Sequence, residues 1–151
     1  MKERGFTMLE VIAVLVLLGI LSALALGKIG GNRGEARAVA DTIKTHLRQA
    51  QIRAMHSDTA WGINSTGSSY WLFSGGNTAD KTMFLGENSD TVSLPAGVTV
   101  TTFTLSFDDW GAPYNGADPA TGAILATPMT ITVSGDDTVS ITITPNTGFI
   151  P

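Results

Sequence analysis

The stretch FTMLEVIAVLVLLGILSALALG (Phe6–Gly27) decides the fold of this chain. At ~1.5 Å per residue it spans roughly 33 Å as a helix, which is about the thickness of a bilayer's hydrocarbon core. Glu10 is the only charged residue between Arg4 and Lys28. A carboxylate in such a segment costs ~2.5–3.5 kcal/mol on insertion scales. No basic residue lies within one helical turn of Glu10, so we expect its partner on another chain.

Five residues, Met1-Lys2-Glu3-Arg4-Gly5, precede this apolar stretch. The two basic ones orient its start toward the cytoplasm, because positive charges favour that side of the membrane. The run GFTMLEVI (Gly5–Ile12) resembles the cleavage and methylation signature of type IV prepilins and type II secretion pseudopilins.

The resemblance implies that a prepilin peptidase cuts between Gly5 and Phe6 and methylates the new amino terminus at Phe6. It implies that Glu10 pairs with the terminal amine of a neighbouring subunit during filament assembly. The implied partners are other pilin or pseudopilin subunits, the peptidase and an inner-membrane assembly platform. The implied location is the inner membrane, as a single-pass protein, and after assembly a periplasmic or extracellular filament.

An ordinary secretory signal is the alternative, with Ala23-Leu24-Ala25 as its cleavage site and a secreted binding domain starting at Leu26. Two features disfavour this interpretation. The helical pattern continues past Ala25, and a glutamate beside the apolar core is atypical of a simple signal peptide.

The expected fold is α+β, with a long amino-terminal helix packed on an antiparallel β head. We divide the chain into a leader (1–5), a membrane-spanning or filament-core helix (6–27), an amphipathic second half of that helix (28–57) and a β-rich head (58–151). Glycines over 27–31 soften the predicted helix. Its second half has an apolar stripe at three- and four-residue steps, formed by Ala36, Val39, Ala40, Ile43, Leu47, Ala50 and Ala54.

Period-two runs after residue 58 predict the strands 60–64, 69–74, 82–85, 97–107, 129–134 and 138–144. Gly75-Gly76-Asn77 predicts a turn, and a change of phase in the long fourth strand predicts a bulge near Thr101–Thr102. The last two strands form the clearest hairpin, with its turn at Gly135-Asp136-Asp137.

Two segments favour a particular subgroup. LRQAQIRAMHS (47–57) resembles the helix end of GspH-type and FimT-type minor pilins and pseudopilins, and the final hairpin with ITPNTGFIP resembles that of MSHA-type minor pilins. These resemblances imply a minor pilin. A minor or major pseudopilin of a type II secretion system is the alternative.

Charge and composition exclude several classes of protein. Residues 28–56 carry a net charge of +4, from six basic and two acidic side chains, whereas residues 57–151 carry −8, from nine acids and Lys81. An acidic head disfavours nucleic-acid binding, so no nucleic-acid partner is expected. The chain has no cysteine, phosphate loop or catalytic triad in recognisable context, so we expect no enzyme.

The head contains one distinctive loop, FDDWGAPY (107–114), which resembles a stretch of major pseudopilins where a nearby acidic loop binds calcium. Asp108, Asp109 and Asp118 are weak candidates for calcium ligands, and solvated aspartates are the preferred interpretation; no other cofactor is expected. His46 and His56 lack metal-ligand spacing and are predicted to be solvated or capping. Core packing is the preferred role of the aromatic residues, over a surface-binding patch: Trp61, Tyr70, Trp71 and Trp110.

Overall fold

The computed structural model describes residues 7–29 and 34–151, and it divides the chain into two compact units between Asn32 and Arg33. The first unit contains helix α1 (Met8–Ile29), in which side chains are described as far as Ala23. The predicted cleavage site and the end of the predicted soft region at 27–31 lie outside the described residues. The boundaries drawn from the sequence therefore stay predictions.

The second unit contains helix α2 (Glu35–Met55) followed by ten strands within residues 34–151. The strands are β1 (Trp61–Ser65), β2 (Ser69–Ser74), β3 (Asn77–Thr82), β4 (Thr91–Ser93), β5 (Thr99–Val100), β6 (Phe103–Phe107), β7 (Pro113–Asn115), β8 (Ala123–Ile124), β9 (Met129–Ser134) and β10 (Thr138–Ile143). They form a larger sheet in the order β3-β2-β1-β6-β7-β8, with β4 also paired to β2, and a smaller sheet in the order β10-β9-β5. Every pairing is antiparallel.

Helix α2 packs on both sheets through the apolar stripe predicted from the sequence. Four alanines on this stripe bring the helix backbone close to the strands, while Ile43 and Leu47 fill the space between them and are at most 1% exposed. Burial of such a stripe, rather than helix propensity, stabilises a helix of this length. The strands contribute the other half of the core through Ile63, Tyr70, Leu72, Leu105, Ile131, Val133, Ile141 and Ile143.

The structure confirms the α+β class, with an amino-terminal helix and an antiparallel β head. The second predicted strand and the final hairpin are also confirmed, the latter pairing Val139 with Val133 and Ile141 with Ile131. The glycine turn is confirmed as well, because Gly75 and Gly76 take positive φ angles of 65° and 72° between β2 and β3.

Two strand predictions are wrong. The third strand covers residues 77–82 instead of 82–85, because the hairpin after Gly76 pairs polar residues that carry no period-two signal. The predicted bulge near Thr101–Thr102 is a passage between sheets: Val100 pairs with Val133 in the smaller sheet, and Phe103 pairs with Ser65 in the larger one. The change of phase is therefore real, but its cause is a change of partner. The short strands β4, β7 and β8 were not predicted.

Candidate assembly surface

The first turn of α1 holds Glu10 in place. The backbone N–H of Glu10 lies 3.3 Å from the Thr7 hydroxyl oxygen and 3.0 Å from the Thr7 carbonyl oxygen, and it donates to both. A carboxylate in the first turn lies at the positive end of the helix dipole, which stabilises it by ~0.3–1 kcal/mol. This is less than the ~2.5–3.5 kcal/mol that the charge costs in an apolar medium. Burial of this helix segment therefore favours a further cation near Glu10.

Helix α1 exposes apolar side chains around its circumference. Eleven large ones are between 49% and 85% exposed, namely Met8, Leu9, Val11, Ile12, Val14, Leu15, Val16, Leu17, Leu18, Ile20 and Leu21. A helix that is apolar on every side is stable only when lipid or other protein covers it. The described part of α1 is thus a surface for association.

The other predicted residues of this site, Gly5 and Phe6, lie outside the described residues, so their roles stay predictions. Within the parts of the chain that the structure describes, no helix is both long and apolar enough to cross a membrane. The membrane-spanning role of residues 6–27 is therefore not confirmed.

The aspartates of the distinctive head loop form turns. One carboxylate oxygen of Asp108 accepts the backbone N–H groups of Trp110, at 3.0 Å, and Ala112, at 2.8 Å. Asp118 accepts the N–H of Ala120 at 2.9 Å. These are Asx turns, in which the side chain replaces a backbone acceptor. Among residues 7–29 and 34–151, no group of three or more acidic, His or Cys side chains is arranged to hold a metal ion, and the calcium site stays a prediction.

The aromatic residues divide between the core and the surface. Tyr70 is 1% exposed and Trp61 packs against the core, which confirms the predicted packing role for these two. Trp71 is half-buried and donates its indole N–H to the Thr78 carbonyl oxygen at 2.8 Å. For Trp110 the packing prediction is wrong, because 83% of this side chain is exposed.

His46 also departs from the prediction, since it is 5% exposed and lies inside the head. Its ring stacks on Phe84, with centroids 3.9 Å apart, and its Nδ1 lies 2.9 Å from the hydroxyl of Tyr70. Burial lowers the pKa of His46, and the negative charge of Glu87, 3.9 Å from Nε2, partly opposes that shift. The sequence carried a signal of this burial, because His46 follows Ile43 by three residues and precedes Ala50 by four, which places it on the apolar stripe of α2. His56 is capping, as predicted: its Nδ1 lies 2.8 Å from the Ile52 carbonyl oxygen.

The outer face of α2 carries an open groove that was not predicted from the sequence. It has a volume of about 490 Å³, and we call it the α2 groove, lined by Thr45, Arg48, Gln49, Ile52, Arg53 and Leu85. Ile52 and Leu85 are 56% and 83% exposed and form its apolar part. An isoleucine on the otherwise polar face of an amphipathic helix was the available signal.

Comparison with known proteins agrees with this description. Residues 1–26 match the model of the prokaryotic N-terminal methylation motif. The chain is similar to the major component of the type IV narrow pilus of Thermus thermophilus, with 33% identity over 70% of this chain and 89% of that protein. It is also similar to the type II secretion system core protein G of Escherichia coli, with 40% identity over 28% of this chain and 31% of that protein. No solved structure matches the chain significantly.

Two of these similarities decide the family of the chain. The methylation motif covers the segment that leads into α1, and the similarity to the pilus component extends through most of that component's length. The chain therefore belongs to the family of type IV pilins and type II secretion pseudopilins.

Proposed function

We propose that this protein is a structural subunit of a type IV pilus-like filament, assembled by packing of its amino-terminal helix. The observation that carries the proposal is the described part of α1, which is apolar on all sides and contains one carboxylate, at Glu10. Copies of such a helix packed together bury their apolar side chains at ~25 cal/mol per Å² of surface removed from water. That gain is the driving force of assembly.

Processing supplies the charge that Glu10 lacks. Cleavage between Gly5 and Phe6 creates a positive amine at Phe6, which the same peptidase methylates. In the assembled core, Glu10 of one subunit pairs with the Phe6 amine of its neighbour. The attraction of two such charges at 4 Å is about 4 kcal/mol at an effective dielectric constant of 20, against about 1 kcal/mol in water. The pair therefore fixes the register of neighbouring helices.

The chain occupies two locations in this proposal. Before assembly, α1 anchors it in the inner membrane, where the prepilin peptidase and an assembly platform act on it. After assembly, α1 lies in the filament core and the acidic head faces the periplasm or the medium. The proposed role is that of a structural component, in keeping with similarity to a major pilus component of Thermus thermophilus, and no catalytic step is required of it.

The place of the subunit within the filament has two candidates. The end of α2 and the final hairpin favour a minor subunit, whereas similarity to a major pilus component favours the shaft. A second candidate function is that of a minor or major pseudopilin in a type II secretion system, which the similarity to core protein G favours. Subunit stoichiometry in purified filaments distinguishes a minor from a shaft subunit, and loss of secretion or of pili on deletion distinguishes the two systems.

The mass and the amino-terminal sequence of the mature protein test the processing. We expect a chain that starts at a methylated Phe6. A mature protein that starts at Leu26 and is recovered as a free monomer would instead establish the secreted binding domain, and it would refute filament assembly. In the structure that alternative cleavage site lies inside α1 rather than in a loop.

Replacement of the carboxylate tests the pairing. Glu10→Ala should reduce incorporation into filaments at least tenfold while leaving the head folded, because Glu10 belongs to the other compact unit. Glu3→Ala is the matched control, since it removes a glutamate from the leader that processing discards. Equal incorporation of Glu10→Ala and Glu3→Ala would show that the carboxylate has no role in docking.

A further inference from the structure

Trp110 is presented to solvent by a loop of fixed shape. The loop Asp108–Ala112, which we call the tryptophan loop, is closed by a hydrogen bond from the Gly111 N–H to the Asp108 carbonyl oxygen at 2.9 Å. Gln51 of α2 donates its side-chain N–H to the Gly111 carbonyl oxygen at 2.9 Å and so fastens the loop to the helix. The Trp110 side chain is 83% exposed, although hydrogen bonds hold the loop that carries it. Tryptophan in such a preorganised position is a frequent centre of protein interfaces.

The surroundings of Trp110 are strongly acidic. A shallow depression beside it is lined by four carboxylates and by no basic side chain, the carboxylates being Asp58, Asp108, Asp109 and Asp118. Burial raises the pKa of the nearby Tyr114 hydroxyl, and the negative charges of Asp108 and Asp109 raise it further. Asp109 is exposed, and in the part of the chain that the structure describes no basic group lies within ion-pair distance of it.

The α2 groove has the opposite character. Its apolar part consists of Ile52 and Leu85, and its charged side chains are Arg48 and Arg53, with no acid among the residues that line it. Arg48 donates to the Ile150 carbonyl oxygen at 2.9 Å, and Arg53 lies over the ring of Trp61 at 5.0 Å. Both contacts are with uncharged groups, so the positive charge at the groove is not neutralised by them.

We propose that the tryptophan loop of one copy docks into the α2 groove of a second copy, with Trp110 against Ile52 and Leu85 and with Asp109 facing Arg48 and Arg53. The two surfaces are complementary, because an exposed aromatic side chain next to carboxylates meets an apolar groove next to guanidinium groups. Trp110 is not among the residues that line the groove of its own chain, so within the described head the tryptophan loop does not fill the α2 groove.

When the loop and the groove of one copy engage two different neighbours, the contact is heterologous and each added copy leaves one free loop and one free groove. Such a contact propagates as an open, helical array where the rotation between copies does not close a ring. This inference rests on the proposed filament function and deepens it, because it adds contacts between heads to the packing of α1. It also assigns a role to the charge difference between α2 and the rest of the head.

Cysteine cross-linking in the full-length protein tests the contact directly, since the chain contains no cysteine of its own. Asp109→Cys and Gln49→Cys are introduced on separate copies that are co-expressed, and assembled material is oxidised. We expect a disulfide-linked dimer of the two variants. The matched control combines Gln49→Cys with Asp136→Cys, an exposed aspartate in the final hairpin turn, and should give at least tenfold less dimer. Equal yields from the two combinations would overturn the proposal.

Charge exchange provides the second measurement. Asp109→Arg and Arg48→Glu should each lower the amount of assembled filament about tenfold or more, and co-expression of the two variants should restore that amount through the exchanged pair.

Truncation of the aromatic side chain provides a third measurement. Trp110→Ala should lower the amount of assembled filament similarly, while Trp110→Phe should keep most of it. Normal filaments from Trp110→Ala would show that assembly does not need this side chain and would overturn the proposal.

Failure of the head contact and failure of the proposed filament function give different experimental outcomes. Filaments of the unaltered protein without the link between positions 109 and 49 would refute the head contact and leave the filament function standing. The specific link in detergent-solubilised full-length protein, without filaments, would support the contact and refute the filament function. Absence of both would refute both.

Discussion

Acidification should weaken the head through His46. This histidine is 5% exposed, its ring stacks on Phe84 and it contacts the hydroxyl of Tyr70. Phe84 precedes Leu85, the residue that contributes to the α2 groove from the loop after β3. His46 therefore connects α2 to the segment that carries Leu85 of the α2 groove. We expect its protonation to lower the stability of the head and to disturb the proposed docking surface.

The sign of the effect follows from the direction of the pKa shift. Burial lowers the pKa of His46 below its ordinary value of 6.5, so below that pH the unfolded chain binds the proton more readily than the folded one. The stabilisation is complete above about pH 6.5 and is lost as the pH falls through the interval below it. A single proton limits the loss to about 1.4 kcal/mol per pH unit. The loss stays below that limit, because the negative charge of Glu87 opposes the shift.

Urea unfolding of the full-length protein in one non-ionic detergent, followed by tryptophan fluorescence between pH 7.5 and 5.0, measures this loss. His46→Leu removes the titrating group and should flatten the dependence on pH, even though its stability at pH 7.5 is lower because the Tyr70 hydroxyl loses a partner. His56→Gln, at an exposed cap, is the control and should keep the unaltered slope. Equal losses of stability by His46→Leu and by the unaltered protein between pH 6.5 and 5.0 would refute the prediction.

Two further predictions concern packing, and both are read from urea unfolding at pH 7.5. Gly62→Ala should lower the free energy of unfolding by about 1–3 kcal/mol, because an added Cβ would fall within 3.0 Å of the Leu105 carbonyl oxygen and of the Phe73 ring. The smaller side chain of Phe73→Leu should make the same alanine less costly, and purely additive effects of the two changes would contradict the clash. Leu47→Ala, at 0% exposure, should cost about 2–5 kcal/mol, whereas Ile52→Ala, at 56% exposure, should stay within about 0.5 kcal/mol. Similar losses at both positions would mean that the groove face of α2 is covered in the unassembled protein.

Local sequence patterns predicted those elements that bury one face and expose the other. The stripe of α2 was found because burial on one side imposes a period of 3.6, and β9 and β10 because burial on one face imposes a period of two. β3 was misplaced because its polar residues lie at the edge of the larger sheet, where neither face requires alternation. The short strands β7 and β8 are held by pairing with β6 and with each other, which no local pattern records.

The sequence by itself determined the family signature, the apolar first helix with its lone carboxylate and the α+β class, because each depends on residue type and spacing along the chain. Only the tertiary structure decided that Val100 and Phe103 pair in different sheets, that His46 is buried against Phe84, and that Ile52 meets Leu85 across a groove. These facts depend on which distant segments come together. Such pairings are selected by the packing of the whole head rather than by the preference of any one segment.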